Sequence, residues 1–298
     1  MSQQVDSTVI GSFPVTIDRQ SLMTSYFKDV QPSWKPFIDQ AVSSMVSADL
    51  DMISDGQTRD PFIHIFTREL QGCRIRKRPE VIDSIDFEKT ITGNDLCYVR
   101  SIIPKSTKLI GLIVGPYTLS KSVVDLYYHD DQELAFAFAH ALKKEINCII
   151  PYVDMISIDE PFFSNELPPY GKDLIQSMVS DVMVPFRLHV CGDVSSIVSD
   201  LVDFPVDILS HEFKATPQLF DVFKQHPSNM GICLGSVRSD QKTVEPVQEI
   251  VDHFRRGEDV FGEQIMQVSP DCGLRLLPQD VAYEKLKNLV FAKGLVYG

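Results

Sequence analysis

The residues best suited to chemistry occur in six short polar clusters, each at the end of an apolar run. These clusters are residues 11–14, 54–57, 157–161, 189–193, 210–213 and 269–275. One cluster holds both His189 and Cys191, and side chains two apart on a strand point to the same face. A His-x-Cys pair alone is a weak signal, because a buried histidine beside a buried cysteine is common.

Two more residues complete a possible set of metal ligands. Cys272 lies in the last cluster and Glu212 in the fifth. One imidazole nitrogen, two thiolates and a carboxylate suit tetrahedral Zn²⁺, so we predict one zinc ion per chain held by these four residues. A thiolate-rich zinc is a poor source of hydroxide, but it binds an incoming thiol as the thiolate, which can attack an activated methyl group. Glu212, the hardest donor, is the ligand expected to exchange.

The other polar residues of these clusters have two interpretations each. Asp159 and Glu160 either contact a ligand or cap the turn that follows their strand. Asp193 either orients the nearby histidine or caps a helix. Ser12 and Gln57 could equally be turn formers.

Strand and helix patterns alternate along the chain. Short apolar runs predict eight strands, at residues 8–13, 51–55, 109–115, 155–159, 186–191, 207–211, 230–235 and 265–269. Helical apolar spacing is found at residues 132–145, 174–183, 217–225, 244–255 and 278–292. Together they predict an α/β fold, the (β/α)8 TIM barrel, whose active sites lie at the carboxyl ends of the strands. An open doubly wound sheet is the alternative, but the chain lacks a Gly-rich phosphate loop.

The chain is longer than such a barrel requires. A (β/α)8 barrel takes roughly 250 residues, whereas this chain has 298. We assign the excess to an insertion at about residues 81–103, where Thr-Gly-Asn-Asp at 92–95 predicts the turn of a β-hairpin. The whole chain, residues 1–298, is expected to be a single catalytic domain.

Composition excludes several classes of protein. The formal net charge of −13 argues against nucleic-acid binding, because phosphate contacts need a basic surface. No apolar run approaches the roughly 20 residues that span a bilayer, and the first residues do not resemble a signal peptide. The six cysteines are scattered, as expected of reduced thiols. We therefore expect a cytoplasmic protein with no membrane or nucleic-acid partner.

Five motifs resemble those of the catalytic barrel of the cobalamin-independent methionine synthase family. They are Ile-Gly-Ser-Phe-Pro at 10–14, Gly-Pro-Tyr-Thr at 115–118, Ile-Asp-Glu-Pro at 158–161, His-Val-Cys-Gly-Asp at 189–193 and Pro-Asp-Cys-Gly-Leu at 270–274. Their order and approximate spacing hold over nearly the whole chain. The resemblance implies a TIM-barrel methyltransferase that converts homocysteine to methionine. It also implies the same four zinc ligands, namely His189, Cys191, Glu212 and Cys272.

The resemblance further implies which residues hold the amino-acid end of homocysteine. These are Ser12, through the backbone turn at Gly11–Phe13, and Asp159, and Ile10 belongs to the same substrate-binding group. Where the family carries a glutamate on the homocysteine amine, this chain has Gln57, which would weaken that contact by one charge. Asp159 and the zinc ligand Glu212 are the candidate catalytic residues.

Two other departures from the family concern the methyl donor. The tryptophan that lines the family's pterin pocket is replaced by Ser122, and its proton-donating histidine falls near Arg238. A folate leaving group needs a proton, and arginine is a poor proton donor. We therefore predict that the donor is methylcobalamin or a methylated corrinoid protein, as implied by the similarity to short archaeal relatives.

Three alternatives stay open at this point. The donor could be methyl-tetrahydrofolate or another methylpterin, or the acceptor could be another thiol such as coenzyme M. The zinc could also be structural, in a non-catalytic subunit, since four protein ligands can close a site. The roles of Glu160 and Arg238 are not assigned.

Overall fold

Parallel strands form the central sheet in a computed structural model that describes residues 4–16 and 34–298. In chain order the strands are β1 (Asp6–Ser7), β2 (Met52–Ile53), β3 (Gln71–Ile75), β4 (Pro79–Asp86), β5 (Lys108–Val114), β6 (Val124–Asp125), β7 (Met155–Asp159), β8 (Phe186–His189), β9 (Ile208–His211), β10 (Gly231–Val237) and β11 (Ile265–Pro270). Eight of them make one sheet, in the order β1-β11-β10-β9-β8-β7-β5-β2. Each neighbouring pair in this sheet is parallel.

The sheet closes on itself through contacts between its two end strands. The Asp51 carboxylate accepts hydrogen bonds from the backbone N–H of Ser7 at 2.7 Å and from its hydroxyl at 2.6 Å. Further along, the N–H of Phe13 donates to the Gly56 carbonyl at 3.0 Å. The predicted (β/α)8 barrel is therefore confirmed. Strand β1 lies just before the predicted range of residues 8–13, and β2 is shorter than its predicted range of 51–55, since each of the two pairs with its neighbour over only two residues.

Helices cover the outside of the barrel. They are α1 (Lys35–Ser47), α2 (Phe62–Thr67), α3 (Gly93–Ile102), α4 (Pro116–Ser122), α5 (Asp131–Ile149), α6 (Gly171–Val179), α7 (Val198–Leu201), α8 (Leu219–Gln225), α9 (Val247–Phe261) and α10 (Gln279–Tyr297). The five predicted helical segments correspond to α5, α6, α8, α9 and α10 with shifted ends. At the start of α5, for example, the Asp130 carboxylate accepts from the Glu133 N–H at 2.8 Å, a standard N-cap. Within the described ranges, none of the helices has the length and hydropathy needed to cross a bilayer.

A β-hairpin lies at residues 71–86, earlier in the chain than the insertion predicted at about residues 81–103. Strands β3 and β4 pair antiparallel, and β6 adds to β4. The predicted turn at 92–95 is wrong, because these residues begin helix α3. The reason is the buried Glu145 carboxylate, which accepts from the N–H groups of Ile91 and Thr92, both at 2.7 Å. A tertiary contact from α5 thus turns a local hairpin signal into a helix start.

The barrel interior is lined by a small apolar cluster that forms the floor of the barrel and includes the first residues of β2, β7 and β9. Its members are Ile10, Met52, Ile110, Leu112, Met155, Ile208 and Cys233. Two buried polar residues, Arg187 and Gln267, lie in the same interior. The carboxyl ends of the strands open above this floor, where the predicted polar clusters lie.

Candidate functional site

Three predicted metal ligands converge at the mouth of the barrel. His189 is the last residue of β8, Cys191 follows it by two, and Cys272 follows the end of β11 by two. His189 Nε2 lies 3.0 Å from Cys191 Sγ, which lies 3.0 Å from Cys272 Sγ. Their donor atoms all lie within 4.8 Å of one another. Strands β8 and β11 are not neighbours in the sheet, so closure of the barrel brings these residues together.

Glu212, the predicted fourth ligand, lies beside this three-residue cluster. It directly follows β9, and its half-buried carboxylate lies close enough to the Gly192 N–H and the Cys191 thiol for both groups to lower its pKa. Burial is the main cause of a raised pKa for Glu212. Glu212 therefore stays a predicted ligand, which lies next to the compact group formed by the other three.

Burial also determines the protonation of the cluster. It lowers the pKa of His189 well below its usual value, so the imidazole is neutral, as a metal ligand must be. The hydrogen bond between Cys191 and Cys272 is the main cause of a Cys191 pKa well above the usual thiol value, and burial is the second cause. A cation at this point would release thiol protons and compensate the buried negative charge, and the mixed nitrogen and sulfur donors suit zinc.

The imidazole of His189 is oriented by a residue of the 210–213 cluster for which no role was predicted. Ser210 Oγ lies 3.1 Å from His189 Nδ1. Asp193, considered as an orienting residue, instead accepts from the N–H and hydroxyl of Ser195 and from the Gln218 amide. The orienting role proposed for Asp193 is therefore wrong, because its carboxylate closes a local turn.

Ser12 and the loop that carries Cys272 pack directly on each other. The N–H of Leu274 donates to the Ser12 carbonyl at 2.8 Å. A Cβ on Gly273 would lie only 2.7 Å from Ser12 Oγ, so a larger residue here would have to displace the Ser12 hydroxyl. The predicted substrate loop and the predicted metal loop therefore form one wall of the mouth.

Gln57 lies on the same wall. Its side chain is buried against Gly11, where a Cβ would come within 3.1 Å of Gln57 Oε1. Its backbone is in the left-handed region at φ 46°, a strained conformation for a residue other than glycine. Arg275 fixes this loop by donating to the Asp60 carbonyl at 2.7 Å. Ile10, in contrast, packs its side chain into the barrel interior, so only its backbone can reach a ligand.

Asp159 faces the cluster from the adjacent strand. It ends β7 and is the register partner of His189. Its Oδ1 accepts from the Ser157 hydroxyl at 2.8 Å. Burial raises the pKa of Asp159 to about 7, although the positive charge of Arg187 and the Ser157 hydrogen bond lower it. A carboxylate in this position would gain from binding an ammonium group.

Glu160, whose role was open, has a structural position. Its buried carboxylate accepts from the N–H groups of Tyr117 and Thr118, both at 2.8 Å, and from the Thr118 hydroxyl at 2.6 Å. A Cβ on Gly115 would lie 1.9 Å from Glu160 Cδ, so the two segments touch. The 115–118 and 158–161 motifs are thus two halves of one structural unit.

The two residues used to predict the methyl donor are engaged locally. Ser122 Oγ donates to the Thr118 carbonyl at 2.6 Å. The Arg238 guanidinium forms two hydrogen bonds with the Asp240 carboxylate, at 2.8 and 2.7 Å. Arg238 is close enough to Glu212 to favour its charged form.

Comparisons with known proteins cover nearly the entire chain. The family described as cobalamin-independent synthase, catalytic domain, matches residues 5–294. The chain is similar to a methionine synthase of Methanocaldococcus jannaschii, 34% identical over 97% of this chain and 99% of that protein. It is 31% identical to a methionine synthase of Methanothermobacter marburgensis, over 96% and 98% of the two chains. A B12-independent methionine synthase from Shewanella, solved with selenomethionine, has the same fold, with a TM-score of 0.82, 19% identity and 98% and 97% coverage.

These comparisons correct the predicted methyl donor. The matching family is described as cobalamin-independent, so the prediction of methylcobalamin or a corrinoid protein as donor is wrong. That prediction depended on the residues at positions 122 and 238. Because Ser122 and Arg238 bond to their own neighbours, the identity of these two residues does not indicate which methyl donor binds.

Proposed function

The chain belongs to the family of cobalamin-independent synthase catalytic domains, and on this basis we propose that it methylates homocysteine to methionine at the His189–Cys191–Cys272 cluster. The chain is thus a methyltransferase of the methionine synthase type. The observation that carries the proposal is the convergence of an imidazole and two thiols beside the buried Asp159, at the carboxyl ends of the barrel strands.

We assign a zinc ion to this cluster, with Glu212 as the fourth ligand. The neutral imidazole, the two thiols and the adjacent carboxylate are donors that suit zinc. When bound, zinc would favour the thiolate form of homocysteine at neutral pH. The support for this assignment is the chemistry of the four side chains and their common position at the mouth.

The remaining residues of the mouth bind the amino-acid end of homocysteine. We assign the ammonium group to Asp159, because a buried carboxylate gains most from a cationic partner. The Gly11–Ser12 backbone and the Ser12 hydroxyl are assigned to the carboxylate of homocysteine. The neutral Gln57 amide contributes a dipole where a charged residue would pair more strongly with the amine.

The methyl donor that we propose is a methylated reduced pterin, such as methyl-tetrahydrofolate. In the reaction the sulfur of homocysteine attacks the methyl carbon, a carbon–sulfur bond forms and the carbon–nitrogen bond to the pterin breaks. The thiol loses one proton and the pterin nitrogen gains one, so no external acid, oxidant or reductant is consumed. The protein contributes by aligning the sulfur with the methyl group, which is a major source of rate in two-substrate reactions.

A comparison of methyl donors tests this proposal directly. Zinc-loaded protein is incubated under reducing, anaerobic conditions with L-homocysteine and one donor at a time, either methyl-tetrahydrofolate, methyl-tetrahydromethanopterin or methylcobalamin. We expect methionine to form with a pterin donor, and turnover should disappear after zinc is removed by a chelator. Turnover with methylcobalamin alone would contradict the donor assignment and leave the acceptor intact. Methylation of another thiol in preference to homocysteine would contradict the acceptor.

A further inference from the structure

Arg187 occupies the interior of the barrel directly below the mouth. Its side chain is fully buried. It lies on β8 two residues before His189, and both point inward. Its guanidinium reaches groups from several other parts of the barrel, because Nε donates to Ser157 Oγ at 3.2 Å, Nη1 to Gln267 Oε1 at 3.2 Å and Nη2 to the Val9 carbonyl at 3.0 Å.

A fourth described acceptor is Cys233 Sγ, at 3.8 Å from Nη1, and none of the four acceptors is a carboxylate. A guanidinium is always protonated in proteins, and buried charges are normally paired with an opposite charge. Here the compensating group is the Asp159 carboxylate, which is linked to Arg187 through the Ser157 hydroxyl. Ser157 Oγ donates to Asp159 Oδ1 at 2.8 Å. Asp159 is the carboxylate that faces the metal-ligand cluster.

The direction of this hydrogen-bond chain is determined by its donors. Arg187 Nε can only donate, so the Ser157 oxygen must accept from it. The single hydroxyl proton of Ser157 is then directed to Asp159. Asp159 Oδ1 is thereby held as an acceptor, and its other oxygen can be presented to a ligand.

We propose that Arg187 is a positioning residue which, through Ser157, holds the Asp159 carboxylate in the orientation that binds the ammonium group of the amino-acid substrate. This inference depends on the proposed function, in which Asp159 contacts the homocysteine amine. It adds a specificity element, because the Arg187–Ser157–Asp159 chain selects thiols that carry an α-amine over thiols that do not.

Binding selectivity distinguishes this role from a purely structural one. Isothermal titration calorimetry on zinc-loaded protein compares L-homocysteine with 4-mercaptobutanoate, which keeps the thiol and carboxylate but lacks the amine. We expect the wild-type protein to prefer homocysteine. Ser157→Ala should lose about tenfold or more of that preference, as expected for a hydrogen bond to a charged group, with zinc content and analogue affinity unchanged.

Two further variants complete the test. Arg187→Lys keeps the positive charge but loses the planar guanidinium with its several N–H donors, so it should lose part of the preference for homocysteine. Ser236→Ala removes another buried strand serine, which donates only to the Leu234 carbonyl, and should behave as wild type. If the loss of any buried hydroxyl from the barrel changed the binding preference, Ser236→Ala would show the same change.

The outcomes separate this inference from the proposed function. If Asp159→Asn loses the preference while Ser157→Ala and Arg187→Lys keep it, the amine contact stands and the positioning role is overturned. If wild-type protein binds the two thiols equally, the assigned amine contact fails and this inference fails with it. Loss of preference in Asp159→Asn, Ser157→Ala and Arg187→Lys, with Ser236→Ala unchanged, supports the inference.

Discussion

Asp159 and His189 are direct register partners on the adjacent strands β7 and β8. Neighbouring strands lie about 4.8 Å apart, so a carboxylate suited to an ammonium group is one strand away from an imidazole suited to a metal. Homocysteine carries its amine and its thiol at the two ends of a three-carbon chain. A ligand of that length can therefore engage Asp159 with its amine while its sulfur reaches the metal-ligand cluster.

Replacing Cys272 by alanine should lower zinc from one ion per chain to nearly none and abolish methyl transfer. The reason is that one of two thiols is removed from a cluster whose donors lie within 4.8 Å. Metal content by mass spectrometry and methionine formation are measured together. Cys148→Ala, which changes an exposed thiol on α5, is the control. Full zinc content in Cys272→Ala would remove this residue from the ligand set.

Asp159→Asn should weaken homocysteine binding while zinc stays bound. An amide cannot pair with an ammonium charge, so we expect KM for homocysteine to rise about tenfold or more, in line with the loss of a charged hydrogen bond. Asp154→Asn is a matched control at the opposite end of the same strand, where Asp154 accepts from the Leu109 N–H. An unchanged KM in Asp159→Asn would argue against the assigned contact.

Gln57→Glu should introduce the charge that the resemblance to the family implies at this position. The side chain is buried, so the free variant should be less stable than wild type, because an unpaired carboxylate is costly there. Homocysteine should compensate that cost, and its KM should fall below the wild-type value. Stability with and without homocysteine is followed by thermal unfolding. A raised KM would place Gln57 away from the amine.

Glu160→Gln should destabilise the fold without changing the preference for homocysteine over 4-mercaptobutanoate. The carboxylate accepts from two N–H groups and a hydroxyl, and an amide NH₂ would face one or more of these donors. We expect a loss of about 1–3 kcal/mol in the free energy of unfolding, as for a buried donor left unpaired. Urea denaturation measures it, with Thr118→Ser, which keeps the hydroxyl, as control. Wild-type stability would contradict this role.

His253 should contribute to acid sensitivity. Its ring donates to the Gly235 carbonyl in the folded state, and burial lowers its pKa to about 4 from 6.5. The unfolded chain therefore takes up a proton between pH 6.5 and 4 that the folded chain does not. The contribution of His253 to the free energy of unfolding is fully present above pH 6.5. It is lost as the pH drops toward 4, and the loss is about 3 kcal/mol.

The test of this pH dependence is a difference between two proteins. Wild type and His253→Gln are unfolded in urea from pH 7 to pH 4, and the wild-type free energy should fall more steeply. Taking the difference cancels the other buried groups, including the carboxyls with raised pKa. Parallel curves for the two proteins would show that His253 does not contribute.

Local sequence pattern was sufficient to predict the class of fold and to propose the metal-ligand candidates. Apolar runs, helical spacing and polar strand ends are short-range properties, and a parallel barrel brings all strand ends to one mouth. The two-residue spacing of His189 and Cys191 was enough to pair them, although β8 ends at His189. Ser157 and Arg187 follow the same two-residue alternation as Asp159 and His189, so the strand pattern alone places all four side chains on the inward face.

Contacts between distant segments decided the rest. The start of α3 depends on Glu145, more than 50 residues away, so the local Thr-Gly-Asn-Asp signal pointed to the wrong element. The capping role of Glu160 depends on a helix start in another strand-to-helix connection. Ser122 and Arg238 form local bonds and therefore did not reveal the donor. The energy of a buried polar group is determined by the partner it meets, and only the folded chain selects that partner.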